Sequence, residues 1–231
     1  MDNLEASSQS HWIPLSDLMT GLMMIFLLLT AMYMLRVEQT TTLIVQEHQK
    51  TKADLFRALQ DTFKKDLKQW DAEFLGDMTL RFKNPDVIFA TGKSDLKPQF
   101  KEILVSFIPR YISIINDPKF KSAIKEIRIE GHTSPIWTGV STEEAYFKNM
   151  ELSQSRTRAT LEFILKMPEI QMHADWIKSN LTANGLSSSK PVFKDGSTED
   201  IDILASQRVE FRIVTNAEES LDKIADSIIK K

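Results

Sequence analysis

The sequence predicts an α+β chain: a single N-terminal transmembrane helix, a helical linker, then an α/β sandwich whose one sheet is covered by helices on one face. Three observations carry this. Leu18 to Leu35 is an apolar stretch without a charged residue, and roughly 18 or more such residues cross a bilayer core. From about Ala53, apolar residues recur at three- and four-residue steps, the spacing of an amphipathic helix. Further on, short alternating stretches take turns with helical ones, as in a sheet with helices packed against it.

The expected boundaries are a tail over 1–12, the span over 13–35, the linker over 36–76, the domain over 77–216 and a terminal helix over 217–231. Asp17 opens the apolar stretch. An acid about one turn into such a helix is costly and commonly faces a partner, a cavity or an ion path. Asp is also a good helix cap. Ser16 lies beside it and Pro14 three residues earlier, where helices often begin, so position alone leaves both readings open.

Composition narrows the classes. The 231 residues allow one span plus one domain of ordinary size. A net charge of -3 gives no basic surface for nucleic acid. The lack of cysteine excludes a disulfide scaffold, a lipoprotein anchor and a thiolate metal site, and it suits an oxidising compartment. Residues 1–16 carry no Lys or Arg, and the apolar run leaves through Met32-Tyr33-Met34-Leu35-Arg36, so an uncleaved anchor is expected rather than a signal peptide. The flanking Arg36, Lys50 and Lys52 would, by charge alone, leave the C-terminal domain in the cytoplasm.

Residues 36–50 show no clear period. Leu55, Leu59, Phe63, Leu67, Trp70 and Phe74 then form an apolar stripe. It must bury against a second copy or against the domain that follows. Met78–Phe82 and Val87–Phe89 read as short strands. A helix begins at Pro98 and carries Phe100, Ile103, Leu104, Phe107 and Ile108. Glu126–Glu130 is an alternating strand ending at Gly131, and a long helix follows from about Thr142 to Leu165. Leu181–Asn184 reads as a strand turned by Gly185, and Arg208–Val214 as the last strand.

Three segments then stand out together. Gly131-His132-Thr133 follows an Ile-Arg-Ile-Glu strand, Asn149, Leu152, Ser153 and Arg156 share one helix, and Gln207-Arg208-Val209-Glu210 opens the final strand. In order and spacing they resemble the OmpA-type C-terminal domain, a peptidoglycan-binding module, over about Met78 to Asn216. Asp17-Leu-Met-Thr-Gly-Leu-Met23 resembles the start of the single span in the MotB family of flagellar stator subunits. A MotB-like span joined to an OmpA-like domain also describes the ZorB family of Zorya anti-phage defence systems. The helical linker and the loop bearing Pro135, Trp137 and Gly139 bring the chain closer to that family.

The resemblance implies a homodimer whose two spans sit inside a ring of multi-span MotA-like (ZorA-like) subunits. Asp17 would take a proton or sodium ion from one side and release it to the other, with the hydroxyls of Ser16 and Thr20 near enough to assist. Desolvation favours the neutral form of a carboxylate, and neutralisation removes the penalty of moving charge past apolar surfaces. The implied orientation places the N-terminus in the cytoplasm and the domain in the periplasm, anchored to the inner membrane and, through the domain, to peptidoglycan. A passive wall tether, a flagellar stator and a TolR- or ExbD-like transducer are the other readings.

For the domain, the resemblance implies peptidoglycan binding by Thr133, Ser134, Asn149, Leu152 and Arg156. In the family, an aspartate directly after Gly-His-Thr holds the ammonium of a diaminopimelate-bearing stem peptide, and an arginine on the next helix holds its carboxylate. Arg156 matches that arginine, whose fork suits a carboxylate. It could instead pair structurally with Glu151 or Glu210. The position after Thr133 is Ser134, which has no charge, so another acid such as Glu143 or Glu144 is needed, or binding differs. No enzyme, cofactor or metal is expected. His132 reads as a loop anchor, His11, His48 and His173 form no ligand spacing, Ser153 and Ser155 lack a nucleophile elbow, and seven glycines form no phosphate loop.

Overall fold

The computed structural model describes residues 5–216. The chain divides into two compact units, with the boundary between Glu47 and His48. Helix α1, Glu5–Phe63, runs through that boundary.

In the first unit, Leu15–Gln39 has a mean hydropathy of 2.1 and is exposed along its length, so it is long and apolar enough to cross a membrane. Residues 36–50, which show no clear apolar period within the expected helical linker, are helical. Their β-branched residues cost only tenths of a kcal/mol each, and extending an existing helix avoids the cost of nucleating one.

The second unit starts upstream of residue 77. Leu55, Leu59 and Phe63 are fully buried in its core, and the Phe63 ring lies 5.2 Å from that of Phe107. The apolar stripe therefore buries against the domain that follows. It is not one helix throughout: α1 ends at Phe63, α2 is Asp66–Gln69, and Phe74 belongs to strand β1, Ala72–Phe74. Asp71, with φ of 49°, turns the chain between them.

Strand β2 is Thr79–Phe82. Val87–Phe89, expected as a strand, instead lies in and just after a short helix, α3 (Pro85–Ile88). Asn84 caps it by accepting from the Asp86 amide at 3.1 Å, and Pro85 has the fixed φ of a first helical residue. Helix α4, Pro98–Ile115, presents Phe100, Leu104, Phe107, Ile108 and Tyr111 to the core. Helix α5 (Pro118–Lys121) leads into β3, Ile124–His132, and then comes α6, Thr142–Leu165, started by the hydroxyl of Ser141. A 3-10 turn, Pro168–His173, precedes α7, Ala174–Asn180, and β4, Leu181–Gly185. A small hairpin of β5 (Val192–Phe193) and β6 (Ile201–Asp202) lacks a legible alternation because its strands are two residues each. Strand β7, Arg208–Thr215, ends the described chain. The terminal helix expected over 217–231 lies outside the described residues.

The main sheet runs β1-β2-β7-β3-β4. All neighbours are antiparallel except β3 and β4, which are parallel. Alternation fixes which face is buried. Leu80, Phe82, Ile127, Ile129, Val209, Phe211 and Ile213 share the apolar face, with Ile129 opposite Phe211 and Phe82 opposite Val209. Phe82, Phe107 and Phe211 meet edge to face at 5.2 to 6.0 Å. Each such ring stabilises the fold by about 1.5–3 kcal/mol through burial. The opposite face carries Arg81, Glu130, His132, Arg208 and Glu210, so one face holds the core and the other a charged ladder.

Candidate ligand-binding site

The parallel pair of β3 and β4 ends in two glycines, Gly131 and Gly185, directly opposite each other. Helix α6 closes on this spot. A Cβ on Gly131 would lie 2.7 Å from Thr157 Cγ2 and 2.9 Å from the Ser153 carbonyl oxygen, and one on Gly185 would lie 2.4 Å from the Gln154 amide nitrogen. Both positions therefore need glycine for want of space.

Hydrogen bonds lock this contact. The Gly185 amide donates to Gln154 Oε1 at 2.8 Å, and Gln154 Nε2 donates to the Ala183 carbonyl at 3.3 Å. The Ser187 amide donates to Ser153 Oγ at 3.0 Å, and the Ser187 hydroxyl donates to the Tyr146 carbonyl at 2.8 Å. Ser153 is thus a docking residue that satisfies a buried amide.

With α6 fixed, Asn149, Leu152 and Arg156 fall on one helical stripe and line a cavity of about 430 Å³ together with Thr133, Ser134 and Trp137. The structure brings together all five residues expected from sequence. Asn149 and Thr133 are each 3% exposed, and Asn149 Nδ2 and Thr133 Oγ1 have no protein partner. A buried polar group left unpaired costs about 1–3 kcal/mol, and both residues belong to the wall of the cavity.

Arg156 pairs with neither Glu151 nor Glu210. Its Nε donates to the Lys93 carbonyl at 2.9 Å, its Nη2 donates to the Ala90 carbonyl at 3.3 Å, and its guanidinium lies 4.8 Å from the Phe89 ring centre. Burial lowers its pKa to about 10, so it stays charged at neutral pH. The turn over 90–93, which includes Gly92 with φ of 67°, fixes the guanidinium in place. Sequence reasoning missed this turn; the Thr91-Gly92 pair was its only local signal.

The cavity around Arg156 has no carboxylate in its lining. Ser134, 7% exposed, stands there without charge. Glu143 and Glu144 border a different hollow, beside Phe147, and Glu144 lies 3.5 Å from Lys148 Nζ.

His132 faces the charged ladder. Among the described residues, Glu130, His132 and Glu210 are buried, with ligand-type atoms within 4.8 Å of one another. Arginines already occupy this cluster: Glu210 Oε1 accepts from Arg208 Nε at 2.6 Å and from Arg81 Nε at 2.8 Å. Burial works to raise the Glu210 carboxyl, but the His132 contact and the Arg208 charge hold it well below the usual carboxylate range. A cation entering here would meet two guanidinium groups. The arrangement is a buried ion network that ties β2 to β7, with His132 Nε2 of β3 3.4 Å from Glu210 Oε2.

In the first unit, Asp17 lies inside α1, not at its start. The hydroxyl of Thr20 donates to the Ser16 carbonyl at 2.7 Å, which leaves only its lone pairs for another group.

No family model matches the chain. Over 219 residues, covering 93% of this chain and 92% of the relative, it is 42% identical to the Zorya protein ZorB of Escherichia coli. Among solved structures, one described as MotB-like, from Desulfovibrio vulgaris, superposes with a TM-score of 0.50 at 20% identity, covering 76% of this chain and 98% of that one. The periplasmic domain of Helicobacter pylori MotB gives a TM-score of 0.43 at 18% identity, covering 69% and 92%. At such identity the D. vulgaris structure speaks to the fold alone, and it agrees with the α+β architecture.

Proposed function

This chain belongs to the ZorB family of Zorya proteins, and from that premise we propose that it is the wall-anchored subunit of an ion-driven inner-membrane motor in anti-phage defence. Asp17 carries the translocated proton or sodium ion. Two copies stand within a ring of multi-span membrane subunits, the N-terminus faces the cytoplasm and the domain lies in the periplasm. There, Thr133, Ser134, Asn149, Leu152 and Arg156 bind peptidoglycan and keep the dimer from turning as ions pass.

The observation that carries the ion reading is the placement of Asp17. Helix α1 is already formed upstream of it from Glu5, and the surrounding surface from Leu15 to Gln39 is apolar and exposed. A capping role needs a helix start, and Asp17 is not at one. A carboxylate on such a helix requires a partner or a water-filled path. For the domain, the support is the fixed guanidinium of Arg156 together with the unpartnered Asn149 and Thr133 atoms in one cavity.

The test compares Asp17→Asn with wild type for phage protection and for recovery of the intact membrane complex. Asn keeps the shape and polarity of the side chain but cannot exchange a proton. Lost protection with an intact complex is the expected result. Full protection by the variant leaves a passive tether and ends the motor reading.

A further inference from the structure

A second cavity, of about 350 Å³, adjoins the Arg156 cavity and shares Gly92, Trp137 and Leu152 with it. The two follow neighbouring stripes of α6. Asn149, Leu152 and Arg156 line one, while Lys148, Glu151 and Ser155 line the other, at the same three- and four-residue steps. Their charges differ. Arg156 is the only charged residue lining the first. The second is lined by Asp95 and Glu151, with Lys93 and Lys148. Lys148 pairs with Glu144 at 3.5 Å and its ammonium lies 5.9 Å from the Trp137 ring centre, so, among the described residues, Asp95, Glu151 and Lys93 are the charged groups of this lining outside an ion pair. Asp95 and Glu151 are exposed, and among the described residues neither is tied into an ion pair.

Asn149 and Thr133, whose Nδ2 and Oγ1 are buried without a protein partner, line the first cavity beside Arg156. A ligand held there by its carboxylate finds no anion within that cavity for an amine. The adjoining cavity, which shares Trp137, is lined by Asp95 and Glu151.

We propose that the site takes an elongated zwitterionic peptide that spans both cavities, its carboxylate on Arg156 and its free amine on Asp95 and Glu151. The Trp137 ring and Leu152 form the shared wall against which the aliphatic portion lies. Ser134 is then no defect in recognition, because the cation site has moved one helical stripe along α6. This rests on the reading that the domain binds cell-wall peptide, and it specifies how that peptide lies.

The test uses the full-length chain in detergent and two probes: a wall tripeptide ending in diaminopimelate with its side-chain amine free, and the same tripeptide with that amine acetylated. Wild type is expected to prefer the free amine by about fivefold, the scale of an exposed ion pair. Asp95→Asn combined with Glu151→Gln is expected to erase that preference while leaving binding of the acetylated peptide unchanged. Adding Ser134→Asp to this double variant is expected to restore the preference. If the double variant discriminates as wild type does, or if wild type never discriminates, the proposed cation site is wrong, while wall binding by Arg156 stands. If wild type binds neither peptide nor purified peptidoglycan, the wall-binding reading fails and this inference with it.

Discussion

The amide of Gly185 donates to the Gln154 side chain at 2.8 Å, and any Cβ at Gly185 would sit 2.4 Å from the Gln154 amide nitrogen. Strand and helix touch here through backbone, so the helix that carries the site is positioned by the absence of a side chain. Gly185→Ala is expected to destabilise the domain by about 1–3 kcal/mol, the range for overpacking a tight contact. A thermal or urea melt against wild type checks this, and peptidoglycan cosedimentation should fall with it as α6 lifts. Unchanged stability would mean that the contact yields easily.

Arg156→Lys is expected to lose peptidoglycan binding nearly as fully as Arg156→Ala. An ammonium cannot bond the Lys93 and Ala90 carbonyls, lie against Phe89 and still present a fork to a carboxylate. Both variants should also lose about 1–3 kcal/mol of stability, because the two carbonyls lose their charged donor. Cosedimentation with purified sacculi, paired with a melt, separates the two effects. A lysine variant that binds normally would show that positive charge alone suffices.

The residues between His48 and Phe63 are expected to be part of the domain's folding unit. Leu55, Leu59 and Phe63 are fully buried, and the Arg110 guanidinium lies 4.8 Å from the Phe63 ring centre. Leu59→Ala should cost about 2–5 kcal/mol, measured by chemical denaturation. Cleavage of the native chain by a nonspecific protease should leave residues 48–76 attached to the domain. Early loss of that segment would contradict the packing described here.

Burial lowers the pKa of the His132 imidazole from its ordinary 6.5, with the Glu210 contact acting the other way and Arg208 reinforcing the fall. The unfolded chain therefore binds a proton that the folded one refuses, and stability declines as pH falls below about 6.5, by at most about 1.4 kcal/mol per pH unit. Glu210, held low, adds its own loss only at more acid pH, below its ordinary 4.5. His132→Gln is expected to flatten the decline between about pH 6.5 and 5. Denaturation midpoints across that range check it. Identical slopes in both proteins would place the titration elsewhere.

Strands and helices with strong periodicity were legible in the sequence. Helix α6 falls over Thr142–Leu165 as expected, and β2, β3, β4 and β7 lie at or within a few residues of their expected positions. Val87–Phe89 misled because its three apolar residues fit a strand or a helical turn equally, and the Asn84-Pro85 start decided for the helix. The stripe from Leu55 to Phe74 keeps helical spacing across two element ends, since the same core is met from successive segments. The five residues expected to bind were gathered by the resemblance to the OmpA-type domain, and they line one cavity. The partners of Arg156 were not legible: backbone carbonyls in a turn over sixty residues away leave no side-chain signature.

Four hydrogen bonds join α6 to the short stretch Ala183–Ser187. For the anchor proposed above, this would matter under load. If Arg156 holds the wall as proposed, a pull on that molecule would enter α6 and load these four links, which are clustered in sequence. Grip and mooring would then share one helix, and the strength of the attachment would depend on how well that helix holds to the sheet edge as much as on affinity for what it grips.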